Sequence, residues 1–178
     1  SSATECWQIL SQSYSKLPFL HVSNGSFGDK WSYVSSTINS EVTLSSFGIN
    51  HLPIVKTNKK SLICLTHCET SNGTYLPSNH LSSIRRKNAE SLIAIDATSS
   101  FGGIHLNFND ADIVFASVQK CLGLPAGMGL LILSPNAIKE AKKDSNALRY
   151  NSINNIVNNA NKNQTTHTPN ILGVFLLN

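Results

Sequence analysis

The sequence predicts an α/β domain of three layers, α/β/α, in which helices cover both faces of a mostly parallel sheet. Four short apolar runs without polar alternation occupy residues 62–65, 92–95, 113–115 and 130–133. Such runs are typical of strands buried on both faces. Helical patterns or long loops separate them, as parallel strands require. A length of 178 residues fits one domain of this kind.

The first predicted element is a helix near the start of the chain. Ser2 is followed three residues later by Glu5, which is the pattern of a capping box. Trp7, Leu10 and Tyr14 then recur at helical spacing. We therefore expect a capped helix with one buried apolar face.

The segment up to residue 60 is less regular. A short strand is predicted over residues 19–22, and Asn24-Gly25 predicts a turn after it. Helix is predicted near residues 30–38, whereas residues 39–60 allow two short extended pieces at most.

The second half of the chain alternates more clearly. A turn at Asn72-Gly73 precedes a helix that buries Leu81 and Ile84, and Pro135 at a first helical position begins another. Residues 151–163 carry a helical apolar face, and residues 171–178 form an apolar stretch that nothing in the sequence covers. Because the sequence also lacks an initial Met, we expect this chain to be a piece of a longer protein.

Composition narrows the class of protein. Hydrophobic residues make up 40% and charged residues 13%, with a net charge of +4, which favours a globular protein. The basic clusters at 85–87 and 142–143 lie in helical patterns, so we expect solvated faces and no nucleic-acid partner. No apolar run reaches the ~20 residues of a membrane span, and no leader is evident. We therefore expect a cytoplasmic protein with no membrane partner.

A metal site is the first alternative that the residues raise. Cys64, His67 and Cys68 are zinc-type ligands, but a fourth ligand is missing and Cys64 lies inside a strand pattern. We therefore expect no metal here.

Polar residues gather where the predicted strands end, which is where α/β sheets bind ligands. The first of the four runs ends in residues 66–73 (THCETSNG), the second in 96–100 (DATSS), and the third in 117–120 (SVQK). Apolar neighbours of Lys120 predict that its amine is partly desolvated and readily unprotonated. From the residues alone, Asp96 could instead cap a turn and Lys120 could be a surface lysine.

These strings, in this order and spacing, resemble the class V aminotransferases that use pyridoxal 5'-phosphate, and within them the phosphoserine aminotransferase branch. Residues 1–5 (SSATE), 24–27 (NGSF) and 164–168 (QTTHT) fit the same resemblance, which covers essentially the whole chain. It implies the aspartate-aminotransferase type of fold. Residues 1–178 would then be part of the large cofactor-binding domain, without the N-terminal arm and the small C-terminal domain.

The resemblance assigns the central chemistry to two residues. Lys120 would hold the cofactor as a Schiff base and move the substrate's Cα proton. Asp96 would keep the pyridine nitrogen protonated, because a carboxylate beside that nitrogen favours the charged form.

Five further residues are implied as cofactor contacts. Ala3 and Thr4 would bind the phosphate at a helix N-terminus, and Gln119 would hydrogen-bond it. Phe27 would stack on the ring, and Thr70 would bond the phenolic oxygen. From the residues alone, Ala3 and Thr4 could simply start a helix, Phe27 could be core, and Thr70 could satisfy its own turn.

Thr165, and less directly Gln164 and Thr168, resemble residues that reach the phosphate site of a neighbouring subunit, which implies a homodimer. His67 is either a general acid–base group or, as we expect, a structural histidine. The family usually has Trp where Phe27 stands and Arg where Thr4 stands, so one charge partner of the phosphate is lost.

The expected activity is transfer of an amino group from phosphoserine to 2-oxoglutarate in serine biosynthesis, with amino-acid and 2-oxo-acid substrates. One alternative is a relative that uses serine or alanine with glyoxylate or pyruvate. The other is a non-catalytic remnant that folds without turnover. We expect residues 1–178 on their own to be inactive.

Overall fold

A computed structural model describes residues 2–144 and 149–178. Its elements in chain order are α1 (Ala3–Ser13), β1 (Phe19–Ser23), α2 (Ser26–Ser36), β2 (Val42–Ser46), β3 (Leu62–Thr66), β4 (Cys68–Glu69), β5 (Thr74–Tyr75), α3 (Ser78–Lys87), β6 (Leu92–Asp96), a 3₁₀ turn (Phe108–Asp110), β7 (Ile113–Ser117), β8 (Gly129–Leu133), α4 (Pro135–Ala141), α5 (Ile153–Ala160) and α6 (Ile171–Leu177).

A central sheet organises the fold. Within the described residues it has six strands in the order β2-β1-β3-β6-β7-β8. All neighbouring pairs are parallel except β7 and β8, which are antiparallel. The short strands β4 and β5 form a separate antiparallel ribbon. The predicted α/β class with a mostly parallel sheet is confirmed.

The sheet separates two apolar cores, which gives the three layers. In β3, Leu62 and Cys64 belong to one core, whereas Ile63 and Leu65 belong to the other. Helices α1, α2, α4 and α5 cover the first core, and α3 covers the second. Burial on both faces explains why the strand sequences are apolar throughout.

Helix α2 begins four residues before its predicted start. The backbone N–H groups of Phe27 and Gly28 at its first turn donate to the Glu69 carboxylate at 3.2 and 3.1 Å. A cap supplied from 41 residues away cannot be found by a local pattern. It allows Ser26 and Phe27 to be helical after the chain bends at Asn24-Gly25.

The start of α1 corrects the predicted capping box. Ser2 is the N-cap residue, but its side chain makes no capping hydrogen bond. The Ala3 N–H instead donates to Ser117 Oγ at 2.7 Å. A hydroxyl from the end of β7 thus supplies the acceptor, so the capping-box prediction was wrong for Ser2. Ser1, which began the resembling string, lies outside the described residues.

Several local predictions in the second half are confirmed. Gly73 has a φ of 76°, the left-handed backbone that a turn glycine supplies. Pro135 begins α4, with the Ser134 hydroxyl accepting from the Ala137 N–H. The apolar stretch after residue 170 is α6, and its side chains are exposed, Phe175 by 76%.

One basic cluster differs from its predicted solvated face. Arg85 is half-buried and forms an ion pair with Asp112, whereas Arg86 and Lys87 are exposed. None of the helices in the described part of the chain combines the length and hydropathy required to cross a bilayer.

Candidate active site

The carboxyl ends of β3, β6 and β7 lie side by side, because these strands are parallel neighbours. Thr66 pairs with Asp96 across β3 and β6, and Asp96 pairs with Phe115 across β6 and β7. A cavity of about 150 Å³ opens at this edge of the sheet, beside the first turns of α1 and α2. A ligand bound there would contact side chains from several distant segments.

Seven of the eight residues predicted to contact a cofactor line this cavity: Ala3, Thr4, Phe27, Thr70, Asp96, Gln119 and Lys120. The eighth, Thr165, lines a different cavity of about 340 Å³ between α1, β8 and α5, together with Gln164. Its predicted role belongs to the site of a second subunit and stays a prediction.

Asp96 is the carboxylate of the cavity. It ends β6 and is 5% exposed. Oδ2 accepts from the Trp7 indole N–H at 2.9 Å, and Oδ1 accepts from the Thr98 backbone N–H at 3.0 Å. Burial raises the pKa of Asp96, and these hydrogen bonds oppose the rise. Within the described residues no lysine or arginine pairs with it, so its charge can face a cationic group of a ligand.

Lys120 reaches the same cavity from beyond the end of β7. The chain turns there, and the Gly123 N–H donates to the Lys120 carbonyl at 3.0 Å. Val118 is buried, but Lys120 and Cys121 are exposed. The prediction that apolar neighbours partly desolvate Lys120 was therefore wrong, because this residue lies in an exposed turn after β7.

The N-terminus of α1 forms one wall. Ala3 is buried and Thr4 is exposed, and both line the cavity. The first turn of an 11-residue helix presents backbone N–H groups and the positive end of the helix dipole. This wall is therefore suited to an anionic group such as a phosphate.

Phe27 and Thr70 also line the cavity. Phe27 is 38% exposed, and Lys30 Nζ lies 5.5 Å from the centre of its ring. The Thr70 hydroxyl lies 3.1 Å from the Ser99 hydroxyl. Phe27 is thus not a core residue, and Thr70 bonds to a different segment and does not satisfy its own turn.

His67 is buried outside the residues that line the cavity. Its Nδ1 lies 2.7 Å from Ser100 Oγ, and burial lowers the pKa of the imidazole. This geometry fits the structural histidine that the sequence predicted. Cys64 is likewise buried within β3. In residues 2–144 and 149–178, no group of three or more His, Cys, Asp or Glu side chains is placed to hold a metal ion.

Seven further residues line the cavity, and the sequence interpretation predicted no cofactor contact for Trp7, Thr66 and Thr98 among them. The hydroxyl of Thr66 is buried without a hydrogen-bond partner among the described residues. Both threonines lie in the polar strings that follow β3 and β6, so their position at strand ends was an available signal. For Trp7 the sequence offered only its helical spacing, which predicts packing in the core and not a place at the cavity.

Comparison with known protein families finds a match over most of the chain. The sequence profile of the family described as aminotransferase class-V matches residues 39–178. A phosphoserine aminotransferase from Rhodococcus opacus is 30% identical over 165 residues, covering 89% of this chain and 43% of the relative.

Solved structures show the same likeness. The crystal structure of a phosphoserine aminotransferase from Cytophaga hutchinsonii superposes with a TM-score of 0.91 at 33% identity, over 99% of this chain and 51% of that one. An alanine–glyoxylate aminotransferase from Nostoc shares the fold, with a TM-score of 0.83 at 20% identity, over 99% of this chain and 51% of that one. This chain thus spans about half the length of these proteins.

Proposed function

The chain belongs to the class V aminotransferases, and from that premise we propose that it binds pyridoxal 5'-phosphate in the cavity at the ends of β3, β6 and β7 and takes part in amino-group transfer. The observation that carries the proposal is the buried Asp96 carboxylate facing a cavity that Lys120 also lines. A buried carboxylate is costly unless hydrogen bonds and an opposite charge compensate it; Asp96 has the hydrogen bonds, and a cationic group of a ligand would add the charge.

The residues present fit this cofactor. A protonated pyridine nitrogen would supply the positive charge that Asp96 lacks within the described residues. The unpaired hydroxyl of Thr66 offers a hydrogen bond to a polar ligand in the same cavity. The first turn of α1 suits the phosphate, at Ala3 and Thr4, and Gln119 lies in reach of the same cavity.

When bound, the cofactor supplies an electron sink for the carbanion that forms on loss of the substrate's Cα proton. The remaining work falls to side chains. Lys120 would hold the cofactor covalently through its amine and then carry the Cα proton as a base. Asp96 would hold a proton on the ring nitrogen, Phe27 would cover the ring face, and Thr70 would orient the phenolic oxygen.

For the substrates we propose phosphoserine as donor and 2-oxoglutarate as acceptor, a step of serine biosynthesis. The names of the relatives from Rhodococcus and Cytophaga support this choice. A 2-aminoethylphosphonate–pyruvate transaminase from Bacteroides fragilis is 25% identical over 130 residues, covering 67% of this chain and 36% of the relative. Its name favours pyruvate as the alternative acceptor to compare with 2-oxoglutarate. We also propose a cytoplasmic homodimer in which Thr165 completes the partner's phosphate site.

Borohydride reduction followed by peptide mapping tests the role of Lys120. The full-length protein should be yellow with added pyridoxal phosphate, and the reduced adduct should lie on Lys120. Lys120→Ala should abolish both the colour and the adduct, because no other lysine lines the cavity within the described residues. Lys87→Ala, at an exposed lysine outside the cavity, is the control and should retain both.

An adduct on Lys87, Lys16 or another lysine would overturn the assignment. A glutamate-formation assay with phosphoserine and 2-oxoglutarate, run beside alanine with glyoxylate or pyruvate, then separates the substrate classes. Colour and adduct on Lys120 without turnover of any pair would favour the non-catalytic remnant.

A further inference from the structure

We propose that Glu69 is a positioning residue: its carboxylate fixes the first turn of α2 and thereby holds the Phe27 ring at the cofactor cavity. The inference rests on the proposed function, because Phe27 matters here as the aromatic that covers the cofactor. Glu69 itself does not line the cavity. It would act through the backbone of α2.

The contacts of Glu69 converge from two segments. Its Oε2 accepts from the backbone N–H groups of Phe27 and Gly28, at 3.2 and 3.1 Å. Its Oε1 accepts from the backbone N–H of Ser71 at 3.1 Å and from the Ser71 hydroxyl at 2.6 Å. All four partners are donors, so a carboxylate satisfies the site and an amide in the same place cannot.

Burial makes these bonds strong. Glu69 is 2% exposed, and within the described residues no lysine or arginine forms an ion pair with it. The positive end of the α2 dipole and the donated N–H groups therefore provide the compensation for its charge. Hydrogen bonds to an ionised group are about twice as strong as neutral ones.

The packing around Gly25 shows how closely the carboxylate approaches α2. A Cβ added at Gly25, the N-cap residue, would lie 2.6 Å from both Glu69 Cγ and Ser71 Oγ. The Ser71 hydroxyl also accepts from the Ser26 N–H at 3.0 Å. Segment 69–71 and the first turn of α2 are thus interlocked.

Two helices begin at the cavity, and Glu69 distinguishes them. The N–H groups at the start of α2 are occupied by the carboxylate, whose negative charge also repels an anion there. At the start of α1 the Ala3 N–H donates to the neutral Ser117 hydroxyl, and Glu5 of the first turn is not among the residues that line the cavity. The phosphate of the cofactor should therefore bind at the start of α1, and the start of α2 should position Phe27 beside the cofactor ring.

The backbone of Glu69 is held independently of its carboxylate. Glu69 pairs with Thr74 in the β4–β5 ribbon, and the Gly73 N–H donates to the Glu69 carbonyl at 2.9 Å. Loss of the charge should therefore free α2 without moving the neighbouring Thr70.

The test compares Glu69→Gln with Glu90→Gln, which makes the same change at an exposed surface residue. Without cofactor, hydrogen exchange at the Phe27 and Gly28 amides should accelerate about tenfold or more in Glu69→Gln alone. In a cofactor titration the dissociation constant of pyridoxal phosphate should rise about tenfold in Glu69→Gln. Leu81→Ala, in the core beneath α3, should lower the melting temperature without either effect.

A double-mutant cycle with Phe27→Ala tests whether Glu69 affects cofactor binding through Phe27. In the Phe27→Ala background, Glu69→Gln should change cofactor affinity less than about twofold, because the ring that Glu69 positions is gone. An equal loss in both backgrounds, or unchanged exchange at the two amides, would overturn the proposal. If the unsubstituted protein bound no cofactor while the amides were still released, the proposed function and the cofactor role of Glu69 would fall, and the anchoring of α2 would stand.

Discussion

At the scale of single residues, Trp7 differs from its neighbour Trp31 in the partner of its indole N–H. The two buried rings stack with centres 6.4 Å apart. Trp7 donates to Asp96 Oδ2, whereas the Trp31 N–H has no partner among the described residues. The pair therefore separates the effect of one hydrogen bond on Asp96 from the effect of aromatic packing.

In the full-length protein we expect Trp7→Phe to lower the rate of transamination about tenfold, and Trp31→Phe to leave it within about twofold. Without the indole N–H, the pKa of Asp96 should rise further, because that bond stabilises the charged carboxylate. As the pH is lowered, Asp96 should then become protonated sooner. Activity that requires the carboxylate should therefore be lost at a higher pH than in the unsubstituted protein. Rates measured across pH check both statements.

Both substitutions remove similar volume from the same core, so comparable losses of stability are expected. Equal shifts of the acidic limb in Trp7→Phe and Trp31→Phe would show that packing, and not the hydrogen bond, controls Asp96.

At the scale of elements, the end of β7 determines where α1 begins. Ser117, the last residue of β7, accepts from the Ala3 N–H at 2.7 Å. This bond couples the strand that leads to Lys120 with the helix whose first turn faces the cavity. A comparable hydroxyl cap, Ser134, begins α4 and is not among the residues that line the cavity.

Ser117→Ala and Ser134→Ala should each lower the free energy of unfolding by about 1 kcal/mol, because each removes a hydroxyl that accepts from a helix N-terminus. Ser117→Ala alone should also weaken pyridoxal phosphate binding, by about two- to fivefold, since the α1 wall is displaced. Chemical denaturation and cofactor titration measure the two quantities. Equal cofactor affinity in both variants would contradict the coupling of β7 and α1.

At the scale of the whole molecule, the apolar side chains of α6 form an exposed patch near the end of the chain. Ile171, Leu172, Val174 and Phe175 are each at least half exposed. Covering one such side chain contributes about 1.5–3 kcal/mol, against a total folding stability of about 5–15 kcal/mol. An exposed surface of this kind favours association.

We expect residues 1–178, expressed on their own, to self-associate, to bind pyridoxal phosphate weakly and to show no measurable transamination. Replacing both Leu172 and Phe175 by Ser should shift size-exclusion elution toward the monomer. Ile54→Ser, at a side chain outside α6 that is 90% exposed, should leave elution unchanged. A monomer that turns over at enzyme-like rates would contradict the prediction.

Local patterns were sufficient for much of the fold. The runs at 62–65, 92–95 and 113–115 lie within β3, β6 and β7, because burial on both faces leaves an apolar run in the sequence. The predicted ends of the strands were less accurate. β6 extends to Asp96 and β7 to Ser117, because these polar residues still pair with the neighbouring strand through their backbones.

The sequence by itself determined the α/β class and placed Asp96 and Lys120 just after apolar strands, because strand burial and chain order are local properties. Only the tertiary structure decided that α2 starts at Ser26, that Trp7 donates a hydrogen bond to Asp96 and that Lys120 is exposed. The physical reason is that these features depend on partners far along the chain, such as Glu69, 41 residues from Gly28. A backbone turn directs side chains in three dimensions, and sequence neighbours do not record that direction.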